Sequence, residues 1–206
     1  MEEKNLKRAR FITLEGIEGS GKSTVIKFLA NFLSKKNFSY KIFRDPGSTK
    51  VGEKIREILL NKKNKISPYT ELLLYLAART QLIEEKLRDS FLKYDFIICD
   101  RFFDSTLVYQ GYALGLKIAK KLVDMFSFKM IPDLTILLDT DPKEGLKRIK
   151  NRDRIESRPI FFHKKLREGY LKLQKKYSKR IKIIKSKRLE DIYKDIEKIL
   201  KEKFNI

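Results

Sequence analysis

The chain has 206 residues, a formal net charge of +21 and a single cysteine. That length is ample for one well-packed domain, one cysteine rules out an intrachain disulfide, and no apolar run approaches the roughly 18 residues a membrane span needs. The opening Met1–Lys7 carries no apolar signal region, so a cytoplasmic protein without a membrane partner is expected. Basicity is concentrated late: residues 143–206 hold 23 Lys and Arg against 9 Asp and Glu. These lysines alternate with apolar residues at helical spacing, which suits solvated helix exteriors; a nucleic-acid surface is the other reading.

Apolar runs alternate with amphipathic segments along the whole length. Phe11–Leu14 reads as a first strand, and Gly16–Ser23 then fits the phosphate-loop pattern G-x-x-x-x-G-K-[ST] at every fixed position, before a helix over 22–36. Gly16, Gly19 and Gly21 let the backbone of Ile17, Glu18 and Ser20 wrap a phosphate, and the helix start at Lys22, Ser23 and Thr24 adds its positive dipole end. Lys22 would reach the β- and γ-phosphates of a nucleoside triphosphate and the Ser23 hydroxyl would hold Mg²⁺. Further strands are expected at Tyr40–Phe43, Phe96–Cys99, Leu134–Leu138 and Ile181–Lys185. Helices are expected near 51–61, 68–92, 104–112, 116–127, 143–151, 159–177 and 189–203. This alternation argues for one α/β domain, 1–206, built on a five-stranded parallel sheet sandwiched by helices. Cys99 reads as a small buried hydrophobe, and His163, the only histidine, as structural.

Four further signals fall where strands should end, the place where parallel sheets bind ligands: Asp45-Pro46-Gly47-Ser48-Thr49, Leu72–Arg79, Asp100–Gly111 and the arginine-dense Arg152–Arg158. With the phosphate loop, in this order and spacing, they resemble the thymidylate kinase family over nearly the whole chain. The resemblance implies a P-loop nucleoside monophosphate kinase fold and a homodimer. The implied substrates are ATP with Mg²⁺ and dTMP, the products ADP and dTDP, and the lid lies at about 150–160.

Carried onto this sequence, the family pattern gives each matched residue a role. Arg101 would grip the dTMP phosphate bidentately, and Asp100 would orient a water on Mg²⁺. Tyr75 would stack on thymine, the alternative being an ordinary core aromatic. Arg79, one helical turn on, would face the same pocket, as would Asp45 and Ser105. Glu18 would accept from the sugar 3′-hydroxyl, Thr106 and Gln110 would read the pyrimidine edge, and Tyr109 would crowd the 2′ position. With Gly19 and Ser20 where another branch has a catalytic arginine, the catalytic charge is expected from the lid, from Arg154 foremost and Arg152 and Arg158 beside it. Arg148 and Arg188 would meet the ATP side.

The sequence departs from the pattern at Asp45, Ser48 and Phe102, and Ser48 stands where glycine would take a positive φ more freely. A deoxynucleoside kinase acting on thymidine and a nucleotide-switched nucleic-acid-binding protein are the alternatives. The first would need a carboxylate base at the 5′-hydroxyl; the second would show salt-sensitive nucleic-acid binding.

Overall fold

The computed structural model describes residues 8–185 and 188–206. The first seven residues, on which the reading of a missing signal region rests, lie outside them.

Five strands form one parallel sheet: β1 (Arg10–Glu15), β2 (Tyr40–Arg44), β3 (Phe96–Asp100), β4 (Leu134–Asp139) and β5 (Ile181–Lys185), in the order β2-β3-β1-β4-β5. Each expected strand is present. Alternate side chains leave a strand on opposite faces, and both faces are covered. Phe11, Ile97 and Cys99 pack toward Leu72, Leu76 and Leu82 of one helical layer. Ile12, Ile98 and Ile136 pack toward Val25, Leu29, Ile196 and Leu200 of the other. Cys99 is fully buried in this core.

The helices are α1 (Lys22–Lys35), α2 (Lys50–Leu60), α3 (Pro68–Leu82), α4 (Arg88–Lys93), α5 (Phe103–Thr106), α6 (Ala119–Phe126), α7 (Pro142–Lys147), α8 (Ile160–Lys176) and α9 (Leu189–Phe204). A π-helical turn at Ile83–Leu87 joins α3 to α4, and a second, Leu107–Ala113, prolongs α5. Local chemistry starts several of them: Thr49 accepts from Gly52 N–H at the head of α2, and Ser67 with Pro68 opens α3.

Two expected helices are shorter. The one read over 116–127 begins at Ala119, after a turn in which Gly115 takes φ 74°. The one read over 143–151 ends at Lys147, and turns replace helix through the arginine-dense stretch to Arg158. Among the described residues no helix is long and apolar enough to cross a membrane.

The register aligns the carboxyl ends of three strands. Leu14 sits opposite Asp100 on β3 and Ile136 on β4. The phosphate loop after β1 and Asp100-Arg101 after β3 therefore emerge side by side in the crevice where the chain switches direction across the sheet.

Candidate active site

The phosphate loop crosses from β1 into α1 with Gly16, Gly19 and Gly21 at positive φ. Gly19 has a second constraint. A Cβ there would stand 2.0 Å from the carbonyl oxygen of Gly145, and a Cβ on Gly145 would stand 2.5 Å from that of Glu18. Loop and α7 thus touch backbone to backbone, which leaves no space for a side chain at position 19. The head of α1 has no side-chain cap and no acid in its first turn, so no side chain competes there with an anion for the positive end of the helix. Ser23 and Thr24 are exposed there. Lys22 folds back, donating to Gly16 O at 3.1 Å and Ile17 O at 2.9 Å. Burial, helped by the positive charge of Arg101, brings its ammonium down to about 8.

The loop has a cavity on each side. One, of about 160 Å³, is lined by Ser20, Gly21, Thr140, Arg148, Lys185 and Leu189 among others. The other, about 100 Å³, has Glu18, Asp45, Arg56, Tyr75, Arg79, Arg101, Ser105, Thr106, Tyr109 and Gln110 in its wall, with Asp153, Ile155 and Glu156 across the top. All the residues expected to face dTMP converge on this second cavity.

Arg101 is the hub between the loops. Its backbone takes φ 67°, a conformation costly for a residue with a Cβ. That turn brings the guanidinium onto Gly16 O at 2.9 Å, Tyr170 Oη at 3.1 Å and Glu18 Oε1 at 3.3 Å. Beneath it, buried Glu15 accepts from Phe102 N–H, Ser105 Oγ and Tyr170 Oη. Burial and the nearby Asp104 carboxylate push the Glu15 carboxyl up to about 7. Glu18 behaves oppositely. Burial would raise it, but His163, Arg101, Lys22 and Tyr109 outweigh that and bring its carboxyl down to about 2. Tyr109 donates its hydroxyl to Glu18, and His163, fully buried on α8, places Nδ1 3.3 Å from Glu18 Oε2. The histidine is buried, as a structural residue would be, but it is buried against the phosphate loop.

Arg79 is 2% exposed and donates from Nε to Asp45 at 2.5 Å and from Nη2 to Thr106 Oγ1 at 2.8 Å, leaving Nη1 without a protein partner. Burial pushes the Asp45 carboxyl up, and the Arg79 charge offsets only part of that. Ser48 takes φ 66°, the conformation for which glycine is better suited, and its Oγ accepts from Arg44 N–H at 2.8 Å. Asp100 keeps Oδ1 buried without a protein partner.

The arginines of the lid are seated differently from expectation. Arg154, expected at the transferred phosphate, donates to Leu59 O at 2.6 Å and to Glu71 at 2.7 Å, and Arg158 donates to the same Glu71 oxygen at 2.5 Å. The physical reason is Glu71 itself, a carboxylate with no exposure to water, which draws the nearest guanidinium groups for compensation. Arg152 donates to Leu146 O at 3.2 Å. Arg148 is the one of this group on the phosphate loop, donating to Gly19 O at 3.1 Å. Arg188 is exposed beside Asp191 and is absent from the wall of the first cavity, which its neighbour Leu189 enters.

Sequence reasoning passed over Glu15, Arg56 and Glu71. Glu15 closes β1 beside the phosphate loop, a placement that could have marked it; Arg56 and Glu71 look in sequence like ordinary charges on helix faces.

Comparison with known proteins accords with this geometry. The family model described as Thymidylate kinase matches residues 14–196. A thymidylate kinase from Thermoanaerobacter sp. (strain X514) is 46% identical over 199 residues, covering 94% of this chain and 98% of the relative. One from Caldanaerobacter subterraneus subsp. tengcongensis is 47% identical over 181 residues, covering 86% and 87%. A crystal structure of thymidylate kinase from Ehrlichia chaffeensis superposes with a TM-score of 0.77 at 30% identity, covering 94% of this chain and 99% of that one. A phosphate loop shared by two cavities and a family match over most of the length lead to one conclusion: the chain belongs to the thymidylate kinase family.

Proposed function

We propose that this chain transfers the γ-phosphoryl group of ATP to the 5′-phosphate of dTMP, giving ADP and dTDP. The observation that carries the reading is the two-sided loop: Glu18 lines one cavity while Ser20 and Gly21 line the other. One loop can therefore hold a donor triphosphate and touch an acceptor at once. The incoming oxygen belongs to a phosphate that is already anionic, so no general base is needed. A bond forms from that oxygen to the γ-phosphorus as the bond to the β–γ bridging oxygen breaks, and ADP leaves with the electron pair.

The residues then divide the work. Arg101 holds the acceptor phosphate beside the loop, and Lys22 leaves its carbonyl partners for the β- and γ-phosphates. Arg148, with Arg152 of the lid, supplies positive charge on the donor side, while Arg154 docks the lid over the acceptor. Ser23 at the open head of α1 and the unpartnered Oδ1 of Asp100 are suited to a hydrated Mg²⁺. Bound there, the ion would neutralise charge on the phosphates. Among the described residues no three His, Cys, Asp or Glu side chains converge on a metal-sized site, so most of its ligands would be phosphate and water oxygens.

Family membership favours neither the thymidine kinase nor the nucleic-acid alternative. A coupled ADP-release assay with a panel of nucleoside monophosphates and thymidine tests the reading. Turnover with dTMP is expected, and its absence in the folded, Mg²⁺-supplied protein would overturn it. We also propose a homodimer, supported by the exposed Val51 and Ile58 on α2 and Tyr69 and Leu73 on α3; sedimentation velocity at micromolar concentration tests it.

A further inference from the structure

Glu71 has no access to water, yet it is met by donors from two other parts of the chain. Its Oε1 accepts from Gln110 Nε2 at 2.9 Å. Its Oε2 accepts from Arg154 and Arg158, at 2.7 Å and 2.5 Å. One oxygen therefore faces the acceptor cavity's wall and the other faces the lid.

The pairing with Gln110 has a directional consequence. A primary amide offers a donor end and an acceptor end of almost the same shape, and which end faces a ligand depends on its other partner. A carboxylate can only accept. Glu71 therefore turns the NH₂ of Gln110 toward itself, and the amide carbonyl is the end left for the cavity that Gln110 lines. Gln110 is 1% exposed, so water offers little competition for that orientation.

A fixed acceptor at this wall distinguishes pyrimidines by their N3 edge. Thymine and uracil carry N3–H, a donor, whereas the N3 of cytosine is a lone pair that would face the carbonyl. Arg79 also lines this cavity, and its Nη1 is a donor left without a protein partner, complementary to a ring carbonyl and not to an amino group. A site built to pair a polar edge rejects the wrong edge strongly, because its own buried groups are left unpaired.

We propose that Glu71 is a positioning residue that sets the base specificity of the acceptor site. It locks the Gln110 amide with its carbonyl toward N3–H, and its second oxygen ties that lock to the docked lid through Arg154 and Arg158. The proposal rests on the reading of this cavity as the dTMP site.

The test compares kcat/KM for dTMP and dCMP. In Glu71→Gln the amide oxygen stays on Arg154 and Arg158, so the NH₂ faces Gln110 and Gln110 turns its own NH₂ toward the cavity. The preference for dTMP should fall by about tenfold or more, with the ATP KM changed less than twofold. The double variant Glu71→Gln with Gln110→Glu reverses donor and acceptor and again presents only acceptors to the cavity; it should recover preference for dTMP. A folded Glu71→Gln enzyme whose dTMP-to-dCMP ratio stays within twofold of the parent overturns the proposal, as does a double variant no more selective than the single. If a variant fails to melt cooperatively, a crystal of the parent with dTMP decides. N3 within about 3.2 Å of Gln110 Oε1 supports the proposal, and N3 paired elsewhere overturns it. Failure of the parent to phosphorylate dTMP would instead remove the underlying function, an outcome distinct from a lost preference in the variants.

Discussion

His163 and Glu18 meet at 3.3 Å, and neither ring nitrogen of the histidine has a hydrogen-bond partner of good geometry. The contact links α8 to the phosphate loop beneath the acceptor cavity. With His163 fully buried, its loss would free one oxygen of Glu18 while leaving the hydroxyl of Tyr109 and Arg101 on the other. His163→Leu should therefore raise the dTMP KM by about 3- to 10-fold, a cost of roughly 1 kcal/mol, and leave the ATP KM within twofold. Steady-state kinetics with each substrate varied checks it; equal effects on both KM values would contradict the link.

The same carboxylate predicts an acid limb. The Glu18 value in the folded chain, about 2, lies below the ordinary 4.5. The unfolded chain then binds more protons between these values, and stability is lost as pH falls through them, by on the order of 1–3 kcal/mol. Urea melts at pH 5 and pH 3 should show this loss, and Glu18→Gln should reduce it.

Gly145 offers a steric test. Its added Cβ would lie 2.5 Å from the Glu18 carbonyl oxygen, too close for any real contact, and that oxygen is backbone. Gly145→Ala should displace the phosphate loop and lower kcat by about tenfold or more, although alanine alone favours helix over glycine. Activity with a melting curve beside it distinguishes a displaced loop from an unfolded chain.

Much of this architecture was legible in sequence because its signals are local. Buried parallel strands such as Ile97–Cys99 and Ile136–Leu138 are short apolar runs, and the phosphate loop has a pattern of its own. The cavity residues Arg79, Arg101 and Tyr109 followed from the family resemblance. What stayed hidden depends on contacts across the chain. Glu71 and Gln110 are 39 residues apart and His163 lies far from Glu18, so no spacing rule links them. The resting seat of Arg154 was hidden for the same reason: its partner is a buried acid whose burial cannot be seen without α2, α3 and the lid in place.

The lid arginines and Arg148 should separate kinetically. Arg148 touches the Gly19 carbonyl, whereas Arg154 bridges Leu59 and Glu71 beside the acceptor. Arg148→Ala should chiefly lower kcat, by about 10- to 100-fold, because its charge serves the transferred phosphoryl. Arg154→Ala should raise the dTMP KM as well as lower kcat. If Arg154→Ala lowered kcat alone, Arg154 would leave Glu71 for the phosphates during turnover.

Lys22 couples nucleotide binding to a proton. Burial first and Arg101 second depress its ammonium to about 8 from an ordinary 10.5. Between these values the unfolded chain binds more protons, so this group makes stability rise with pH through that window. Triphosphate binding reverses the depression, since new negative charge at the ammonium favours its protonated form. ATP binding should therefore take up a proton increasingly above pH 8, approaching about one at pH 9.5, and almost none at pH 6.5. Calorimetric titrations in two buffers of different ionisation enthalpy measure this number directly. In Lys22→Arg the uptake should vanish, because a guanidinium stays charged throughout this range. Equal uptake in parent and variant would place the proton on another group.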